Sequence, residues 1–536
     1  MSQRRWTIKG TCILILLLAG VGFSSKTASA QGRPTPADRL ADSSWPKYRK
    51  DAVHSGQSTH NGPQSERLMW TFTTGKREAE GGVETDATIG PDGTVYIGAN
   101  NGMFYALDGR SGDIKWVFPT QFETYAIYST AAIDKAGRVY FGAKDGYVYV
   151  LLPPESGILA RVAWSYRIGT TIQTSPALGA DGTVYIGADD GKLYAITPPQ
   201  RGKAGRLLWT LQTDNALVAS SPAITPDGTV YIGSLDGKLY ALEPTSGRTQ
   251  PQTRWTFFTG SLWDTGGFEN TPAIGPDGTL YIGANNGIFY ALDSKSGKVK
   301  WQFQTEFRTW GIFSSAALGE DGTVYFGPKD GRLLALDSKT GELKWSYAIG
   351  TTIETSPVVT PDGTVYLGAD NGKLYAIKPP GFLSRKGRLQ WSYQTQGTLI
   401  SSPVIGPEGS LYIGSMDGTL YAFGSEALGS SRQTGPLSGT WYGSYRDSGG
   451  AGRMTLVLVQ QGETVHGVWR LEGGRRGTLE GKIAGEKATL AVSHPSEKCP
   501  GTGKGTATIM ANKLIGEYQG QHCMGEITGG AFTVQR

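Results

Sequence analysis

The sequence contains little of the residue types that most often carry catalysis at neutral pH. Of its 536 residues, three are cysteine and five are histidine. A Cys-x-x-Cys-His motif is absent, which excludes covalent attachment of a haem to this chain. A nucleophile elbow, a phosphate-binding loop and a His-based metal motif are absent too, and His54 and His60 are isolated. The sequence therefore gives little support to a hydrolase.

Long apolar runs are also missing, apart from one near the start of the chain. Basic residues precede an apolar stretch over residues 12–23, and an Ala-x-Ala cleavage site follows at 28–30. This pattern is typical of a signal peptide cleaved after Ala30, and it predicts an exported protein that is periplasmic or secreted. Because the stretch is short and its cysteine, Cys12, stands at its start and not at the cleavage site, we expect neither a membrane span after cleavage nor a lipid anchor.

The excess of positive charge is small once the signal peptide is removed. Residues 1–30 hold four basic and no acidic residues, so Lys plus Arg falls from 51 to 47 against 46 Asp plus Glu, a net charge of about +1. No cationic run remains that would favour nucleic acid as a partner. Arg4 and Arg5 partly resemble a twin-arginine export signal, although an ordinary basic start is the favoured interpretation.

Tryptophan, in contrast, recurs at nearly constant spacing. Eight successive tryptophans are separated by 46, 48, 45, 46, 46, 44 and 46 residues. They are Trp70, Trp116, Trp164, Trp209, Trp255, Trp301, Trp345 and Trp391. Each follows a phrase of short apolar runs that alternate with glycine-containing turns, the pattern of half-buried strands joined by hairpins. One repeat therefore predicts one small four-stranded antiparallel sheet.

Sheets that repeat with a period of about 40 to 50 residues bury their faces by packing around an axis, as in a β-propeller. Eight repeats predict an all-β, eight-bladed propeller over residues 45–424, after a flexible segment at 31–44. The last repeat lacks its fourth strand, while a spare strand around Trp70 precedes the first complete repeat. We expect this N-terminal strand to complete the last blade and close the ring without a free edge.

The two halves of the propeller are related to each other. Asp277 lies 185 residues after Asp92, and Gly267 lies 185 residues after Gly82. Four blades therefore look duplicated. A site on the propeller axis should show approximate two-fold pairing of its residues.

The outer turn of several repeats carries a recognisable phrase. It reads Ala-x-Asp-x-x-Ser/Thr-Gly-x-x-x-Trp at residues 106–116, 291–301 and 335–345. This phrase resembles the tryptophan-docking motif of the pyrroloquinoline quinone (PQQ) repeat family, and residues 45–56 resemble the segment that commonly precedes such propellers. The family holds quinoprotein dehydrogenases and non-catalytic propellers such as BamB, the lipoprotein of outer-membrane barrel assembly. The resemblance therefore implies an architecture and leaves the activity open.

A region with a different sequence pattern follows a Gly- and Ser-rich linker at residues 425–436. Eight short alternating runs over residues 437–536 predict a small antiparallel barrel, and its Gly-x-Trp opening weakly resembles lipocalin-like or avidin-like barrels. Cys499 and Cys523 are the two cysteines of the mature chain, and export favours a disulfide between them. A zinc site that also uses the nearby histidines is the disfavoured alternative.

Candidate site residues lie in the segments that lead from each docking tryptophan to the next inner strand, because these segments vary most. Glu84 and Glu269 occupy equivalent places one residue before an inner strand, and Gln173 and Glu354 are equivalent to each other. These four polar side chains are expected to encircle one mouth of the channel. They either hydrate the channel and bind neighbouring backbone, or they hold a calcium ion, which carboxylate and amide oxygens suit.

Aromatic residues beyond the docking set accumulate in the same segments. They are Phe122, Tyr125, Tyr128, Trp263, Phe307, Trp310 and Phe313, together with Arg308. Because aromatic and arginine side chains dominate binding hot spots, Trp263, Trp310 and Arg308 are candidates for contact with a planar ligand or a partner. Packing between blades is the other interpretation, above all for the phenylalanines and Tyr128.

The family resemblance also sets a requirement that this chain does not meet. Quinoprotein alcohol dehydrogenases carry adjacent cysteines that form a disulfide ring over the quinone, whereas this sequence has no Cys-Cys pair. We therefore expect a non-catalytic, exported propeller that binds a protein or another component of the cell envelope. The alternative is a PQQ- and calcium-dependent oxidoreductase of alcohols or sugars, with Glu84 or Glu269 as metal ligand or catalytic base.

Overall fold

The computed structural model describes residues 35–75, 82–121, 126–202, 204–217, 220–243, 250–260, 266–306, 311–424, 435–494, 500–522 and 525–536. Within these ranges the protein is almost entirely β, with forty strands and two short 3₁₀ turns at Pro36–Arg39 and Pro407–Gly409. None of the helical segments in these ranges has the length and apolar character needed to cross a membrane.

The propeller strands follow one another along the chain, from β1 at Leu68–Thr73. Blades 1 to 4 are β2 to β17: Thr88–Ile89, Thr94–Gly98, Met103–Asp108 and Ile114–Pro119; Ala132–Ile133, Val139–Gly142, Tyr147–Leu152 and Arg161–Arg167; Ala177–Leu178, Val184–Gly187, Lys192–Thr197 and Arg206–Gln212; Ala223–Ile224, Val230–Gly233, Lys238–Leu242 and Thr253–Phe258. Blades 5 to 7 and the first three strands of blade 8 are β18 to β32: Ala273–Ile274, Thr279–Gly283, Ile288–Asp293 and Val299–Gln304; Ala317–Leu318, Thr323–Phe326, Arg332–Asp337 and Leu343–Ala348; Val358–Val359, Val365–Gly368, Lys373–Lys378 and Arg388–Gln394; Val404–Ile405, Leu411–Gly414 and Thr419–Phe423.

The ring closes as the sequence predicts. The fourth strand of blade 8 is β1, which pairs antiparallel with β32 and sets Trp70 opposite Ala422. The prediction that the N-terminal strand completes the last blade is therefore confirmed. Each of the other seven blades is a meander of four consecutive strands.

Three docking tryptophans, Trp70, Trp255 and Trp301, donate a hydrogen bond to the outer turn of the following blade. The indole Nε1 of Trp301, in blade 5, donates to the Ser338 carbonyl of blade 6 at 3.0 Å. A Cβ on Gly341, whose φ is 75°, would lie 2.5 Å from the same indole ring. The glycine of the sequence phrase is thus required both by its backbone conformation and by the indole packed on it.

The Asp-Gly and Asn-Gly hairpins follow turn chemistry. Asn286 Oδ1 accepts from the backbone N–H of Ile288 at 3.0 Å, as the Asx-turn interpretation requires. In blade 1 Asn101 has this role, because its Oδ1 accepts from the backbone N–H of Met103 at 2.9 Å. The side chain of Asn100, the preceding residue, binds Glu84.

Three outer hairpins extend beyond their own blades. The hairpins of blades 2, 3 and 7 each pair, in parallel, with the outer strand of the preceding blade, at Val117 with Leu159, Ser165 with Ala204, and Ser346 with Lys386. An outer strand otherwise presents unpaired backbone groups to solvent. The longer hairpins therefore cover the outer edges of blades 1, 2 and 6.

The C-terminal region is a closed barrel of eight antiparallel strands, in which the first strand pairs with the last. The strands β33 to β40 are Gly439–Asp447, Gly450–Gln461, Thr464–Leu471, Arg476–Ala484, Lys487–His494, Gly501–Met510, Lys513–His522 and Gly525–Gln535. The predicted barrel is therefore confirmed. Its two cysteines lie outside the described residues, so the disulfide stays a prediction.

The barrel packs directly on the propeller. Arg470, only 1% exposed, donates to the carbonyls of Asn101 at 2.5 Å and Gly102 at 3.3 Å, on the hairpin between β3 and β4. The Tyr442 hydroxyl donates to the Thr74 carbonyl, directly after β1, at 2.6 Å. A buried arginine costs much free energy unless it is hydrogen-bonded, so these contacts specify one docked arrangement.

Candidate functional site

The sequence-predicted polar residues occupy one equivalent position around the channel. Four residues before the inner strand of each blade lies a half-buried side chain at the channel mouth; these mouth-ring residues are Glu84, Tyr128, Gln173, Glu269, Phe313, Glu354 and Ile400, with position 219 outside the described residues. Gln173 and Glu354 thus share their position with Glu84 and Glu269, a wider equivalence than the sequence indicated. Each inner strand of the structure spans only two residues. It therefore begins four residues after the mouth-ring position, and not one residue after it as the sequence predicts.

Side-chain hydrogen bonds explain why the inner strands are so short. The residue after each mouth-ring position is Thr, Ser or Asn, and it bonds a glycine at the end of the second strand of the same blade or, in blade 6, directly after it. In blade 1 the Thr85 hydroxyl accepts from the Gly98 N–H and donates to its carbonyl, both at 3.0 Å. Asn270 Nδ2 donates to the Gly283 carbonyl at 2.9 Å. These contacts replace the backbone ladder that a longer strand would form.

One residue deeper, a closed ring of hydrogen bonds joins all eight blades. Each member donates its backbone N–H to a side-chain oxygen of its counterpart in the next blade, with N to O distances of 2.6 to 3.1 Å. The members are Asp86, Thr130, Ser175, Ser221, Thr271, Ser315, Ser356 and Ser402. We call this set the inter-blade ring, and it fixes the inner strands relative to one another.

Asp86 is the one carboxylate in a ring of hydroxyls. Its Oδ1 accepts from the Ser402 N–H at 2.6 Å, and the residue is 5% exposed. Burial raises the pKa of Asp86 to about 7, against the lowering effect of the Ser402 hydrogen bond and of the nearby Arg49 charge. Sequence reasoning missed this residue, although it lies two positions from Glu84.

The far end of the channel is closed by the N-terminal residues 45–63, which we call the axial segment. Its carbonyls accept from the inner strands of blades in turn, for example Trp45 from Ile89 and Val53 from Ile274. The Arg49 guanidinium, 1% exposed, donates to the carbonyls of Ala316 and Pro357, both at 2.7 Å. The channel therefore does not run through the ring.

The side chains of Lys47 and His54 form a buried pair near Arg49. His54 Nδ1 contacts the Pro272 carbonyl at 3.3 Å, and because a carbonyl only accepts, Nδ1 carries the proton. His54 Nε2 then accepts from Lys47 Nζ at 2.8 Å. Burial lowers the pKa of Lys47 to about 7 and that of His54 well below its usual value. The isolated histidine of the sequence is thus a packing partner inside the axial segment.

At the mouth, the expected two-fold pairing is visible in the contacts. Asn100 Nδ2 donates to Glu84 Oε1 at 2.7 Å in blade 1, and Asn285 Nδ2 donates to Glu269 Oε1 at 2.8 Å in blade 5. Burial raises the pKa of Glu84, while the Asn100 hydrogen bond lowers it. Asn100 Oδ1 and Asn285 Oδ1 are both buried and have no hydrogen-bond partner among the described residues.

Blades 2 and 6 carry a matching pair of lysines, which sequence reasoning missed. Lys144 Nζ lies 4.3 Å from the centre of the Tyr128 ring and donates to its hydroxyl at 3.2 Å. Lys329 Nζ lies 3.5 Å from the centre of the Phe313 ring. Each lysine therefore covers the aromatic mouth-ring residue of its own blade. The 185-residue offset between the halves relates these two lysines to each other, since Lys329 lies 185 residues after Lys144, but it does not place them at the mouth.

Blades 3 and 7 place carboxylates next to these lysines. Gln173 Nε2 donates to both carboxylate oxygens of Asp189 at 3.0 and 3.2 Å, and Glu354 pairs with Lys329 at 3.1 Å. Burial and the Glu354 charge raise the pKa of Asp370 to about 6, while Lys329 lowers it. In blades 4 and 8 the equivalent position of the hairpin between the second and third strands is apolar, with Leu235 and Met416.

Several predicted site residues lie outside the described residues. They are Phe122, Tyr125, Trp263, Phe307, Arg308 and Trp310. Their proposed contact with a ligand or partner stays a prediction. Of the aromatic candidates, Tyr128 and Phe313 are described, and both contact lysines at the mouth.

The mouth offers few free donors to a calcium ion. Calcium takes six to eight oxygen ligands. Glu84 and Glu269 are each already bonded to an asparagine, and they lie in blades 1 and 5, half a turn apart. Gln173 is bonded to Asp189, and Glu354 is paired with Lys329. The described part of the chain contains no group of three or more His, Cys, Asp or Glu arranged to hold a metal ion. These residues do not gather a calcium site.

Comparison with known proteins places the propeller in one family. The family model described as outer membrane protein assembly factor BamB matches residues 60–198, 127–261 and 258–435, which together span more than half of the chain. No curated protein matches this chain in sequence.

Solved structures share the ring at low sequence identity. BamB from Moraxella catarrhalis is 18% identical with a TM-score of 0.52, over 67% of this chain and 99% of that one. The quinohemoprotein alcohol dehydrogenase from Comamonas testosteroni is 16% identical with a TM-score of 0.54, over 74% and 83%. The computationally designed Ika8 protein is 17% identical with a TM-score of 0.52, over 67% and 100%. These similarities show the fold alone.

Proposed function

Since this chain belongs to the family described as outer membrane protein assembly factor BamB, we propose that it is an exported, non-catalytic propeller that binds a protein segment of the cell envelope at its mouth ring. The observation that carries the proposal is the pair of buried amide oxygens, Asn100 Oδ1 and Asn285 Oδ1, which have no partner within the described part of the chain. A buried acceptor without a donor costs free energy, so both oxygens favour a ligand that brings N–H groups.

A polypeptide segment fits the rest of the mouth as well. Every residue except proline supplies one backbone N–H and one carbonyl. Lys144 and Lys329 offer donors to those carbonyls, and Leu235 and Met416 offer apolar contact on the remaining blades. The proposed binding needs no metal and no cofactor.

Site-specific photocrosslinking tests this proposal. A benzophenone amino acid at Ile400, in the mouth ring, should form adducts with an envelope protein, whereas the same group at exposed Asp181, on the opposite face, should not. Substitution of Asn100→Ala and Asn285→Ala in the crosslinking protein should reduce the adduct several-fold, because the partner loses both acceptors. Equal adducts at positions 400 and 181, or no effect of the double substitution, would contradict the proposal.

A second experiment separates this proposal from the PQQ- and calcium-dependent oxidoreductase. The purified protein is titrated with PQQ and calcium while tryptophan fluorescence and reduction of an artificial electron acceptor are followed with alcohols and sugars. We expect no saturable change at micromolar PQQ. Saturable binding with turnover, lost in Glu84→Gln with Glu269→Gln, would establish the oxidoreductase instead.

A further inference from the structure

The outer hairpin of blade 7, residues 379–387, exposes two large apolar side chains at its tip. Phe382 is 102% exposed and Leu383 is 95% exposed. The next most exposed large hydrophobic residue among the described residues is Met510, at 47%. Single exposed apolar residues are ordinary, but two adjacent ones with full exposure need a reason.

The equivalent hairpins of other blades show that this position does not require an apolar tip. In blade 2, Ile158 folds back and is 7% exposed, within the propeller core. In blade 3 the tip contains exposed Gln200 and Arg201. Only in blade 7, of these three, does the hairpin direct its apolar residues into solvent.

The stem of the blade-7 hairpin is held firmly. Ser346 of the preceding blade donates its N–H to the Arg385 carbonyl at 3.1 Å and accepts from the Gly387 N–H at 2.9 Å. Two prolines at 379 and 380 limit the backbone on the other side. Arg388 Nε donates to the Pro379 carbonyl at 3.2 Å and so joins the two sides of the stem.

Positive charge follows the tip along the chain. Arg385, Lys386 and Arg388 are all exposed, and residues 379–391 contain no Asp or Glu. Apolar side chains that project beyond a cluster of cations match the layered chemistry of a phospholipid surface, in which anionic headgroups lie above the acyl chains. A protein partner would need an acidic rim around an apolar pocket, which is a more specific requirement.

We infer that this hairpin inserts Phe382 and Leu383 into the interfacial region of an anionic phospholipid surface, with Arg385, Lys386 and Arg388 bound to the headgroups. The inference goes beyond the proposed function and does not depend on it. The hairpin between third and fourth strands lies on the face opposite the mouth ring, which is formed beside the hairpins between second and third strands. Bound in this way, the propeller turns its mouth ring away from the lipid.

Vesicle sedimentation tests the inference with the purified, processed protein. One vesicle set contains equal parts of phosphatidylglycerol and phosphatidylcholine, and the other contains phosphatidylcholine alone. The protein should sediment with the anionic vesicles and much less with the neutral ones. Phe382→Ser with Leu383→Ser should weaken binding roughly tenfold or more, because both apolar contacts are lost. Arg385→Glu with Lys386→Glu should weaken it at least as strongly.

The matched control is Leu207→Ser with Val299→Ser, which removes two partly exposed apolar residues from flat outer strands. This variant should bind as the parent does, and thermal unfolding should confirm that all variants fold. Equal binding by the parent and the Phe382→Ser, Leu383→Ser variant would overturn the inference, and so would binding that ignores headgroup charge. Neither outcome affects crosslinking at position 400, so the two proposals fail separately.

Discussion

Charged side chains lie at both ends of the propeller channel, and the two ends hold them in different ways. At the mouth, Glu84, Glu354 and Lys329 are half-buried and pair with side chains of their own or neighbouring blades. At the axial segment, Lys47 and Arg49 are 1% exposed. Arg49 there binds backbone carbonyls rather than carboxylates.

The mouth is therefore suited to binding a ligand, and the axial segment is suited to holding the ring closed. Half-buried side chains with flexible partners can exchange those partners for a ligand at small cost. A fully buried cation has no such freedom, since removing its partners leaves an unsolvated charge. We therefore expect substitutions at the axial segment to change the stability of the ring, and substitutions at the mouth to change binding.

The largest effect is expected from Arg49→Met. This change leaves the Ala316 and Pro357 carbonyls without donors inside the ring, so the free energy of unfolding should fall by about 3 kcal/mol or more. Urea denaturation measures it, with exposed Arg385→Met as the control that should change by less than about 0.5 kcal/mol. A loss below about 1 kcal/mol would mean that the axial segment does not hold the blades together.

The next effect concerns pH and Asp86. Its folded pKa of about 7 exceeds the unfolded value of about 4, so between these values the folded state holds a proton that the unfolded state has lost. The free energy of unfolding should therefore fall as pH rises from about 4 to about 7. Above pH 7 this group should change it no further. Asp86→Ser, which makes the inter-blade ring all-hydroxyl, should remove this contribution and be more stable than the parent at pH 8, by up to a few kcal/mol.

Denaturation curves from pH 4 to pH 8 check this prediction for the parent and for Asp86→Ser. The advantage of the variant should shrink towards pH 4. Because Lys47 also has a pKa of about 7, Lys47→Met is measured alongside to separate the two groups. Parallel pH profiles for the parent and Asp86→Ser would show that Asp86 is ionised in the folded protein.

A smaller effect is expected from Lys329→Met at the mouth. The lysine lowers the pKa of Asp370, which is about 6, so its removal should move that pKa above 6. The free energy of unfolding should change by less than about 1 kcal/mol, because both groups reach solvent. Carbon-13 NMR titration of the aspartate carboxyls measures the pKa. Lys144→Met, the two-fold equivalent, is the control that should leave Asp370 unchanged.

The smallest effect is expected from Glu84→Gln and Glu269→Gln. Glutamine keeps an oxygen that can accept from Asn100 or Asn285, so each variant should unfold within about 0.5 kcal/mol of the parent. The two variants should also match each other, because their surroundings repeat. A large loss in one of them alone would show that the two halves of the mouth have different roles.

The repeat made much of this structure predictable. Tryptophan spacing predicts eight blades, the spare strand at Trp70 predicts the ring closure, and the duplication predicts that Glu84 matches Glu269. Lys144 and Lys329 could not be assigned to the mouth without the hairpin register, which brings residues 16 positions apart together. The inter-blade ring was missed for a similar reason, because its bonds join residues 41 to 50 positions apart, or 316 at the closure.

The docked barrel also bears on how the ring responds to force. Within blade 8, the joint between β1 and β32 is made by hydrogen bonds and packing alone. The barrel follows β32 in the chain, yet Tyr442 binds Thr74 just beyond β1, and Arg470 binds the hairpin of blade 1. The barrel is therefore tied to β32 by the chain and to β1 and blade 1 by hydrogen bonds, so it adds a second link between the two sides of the joint.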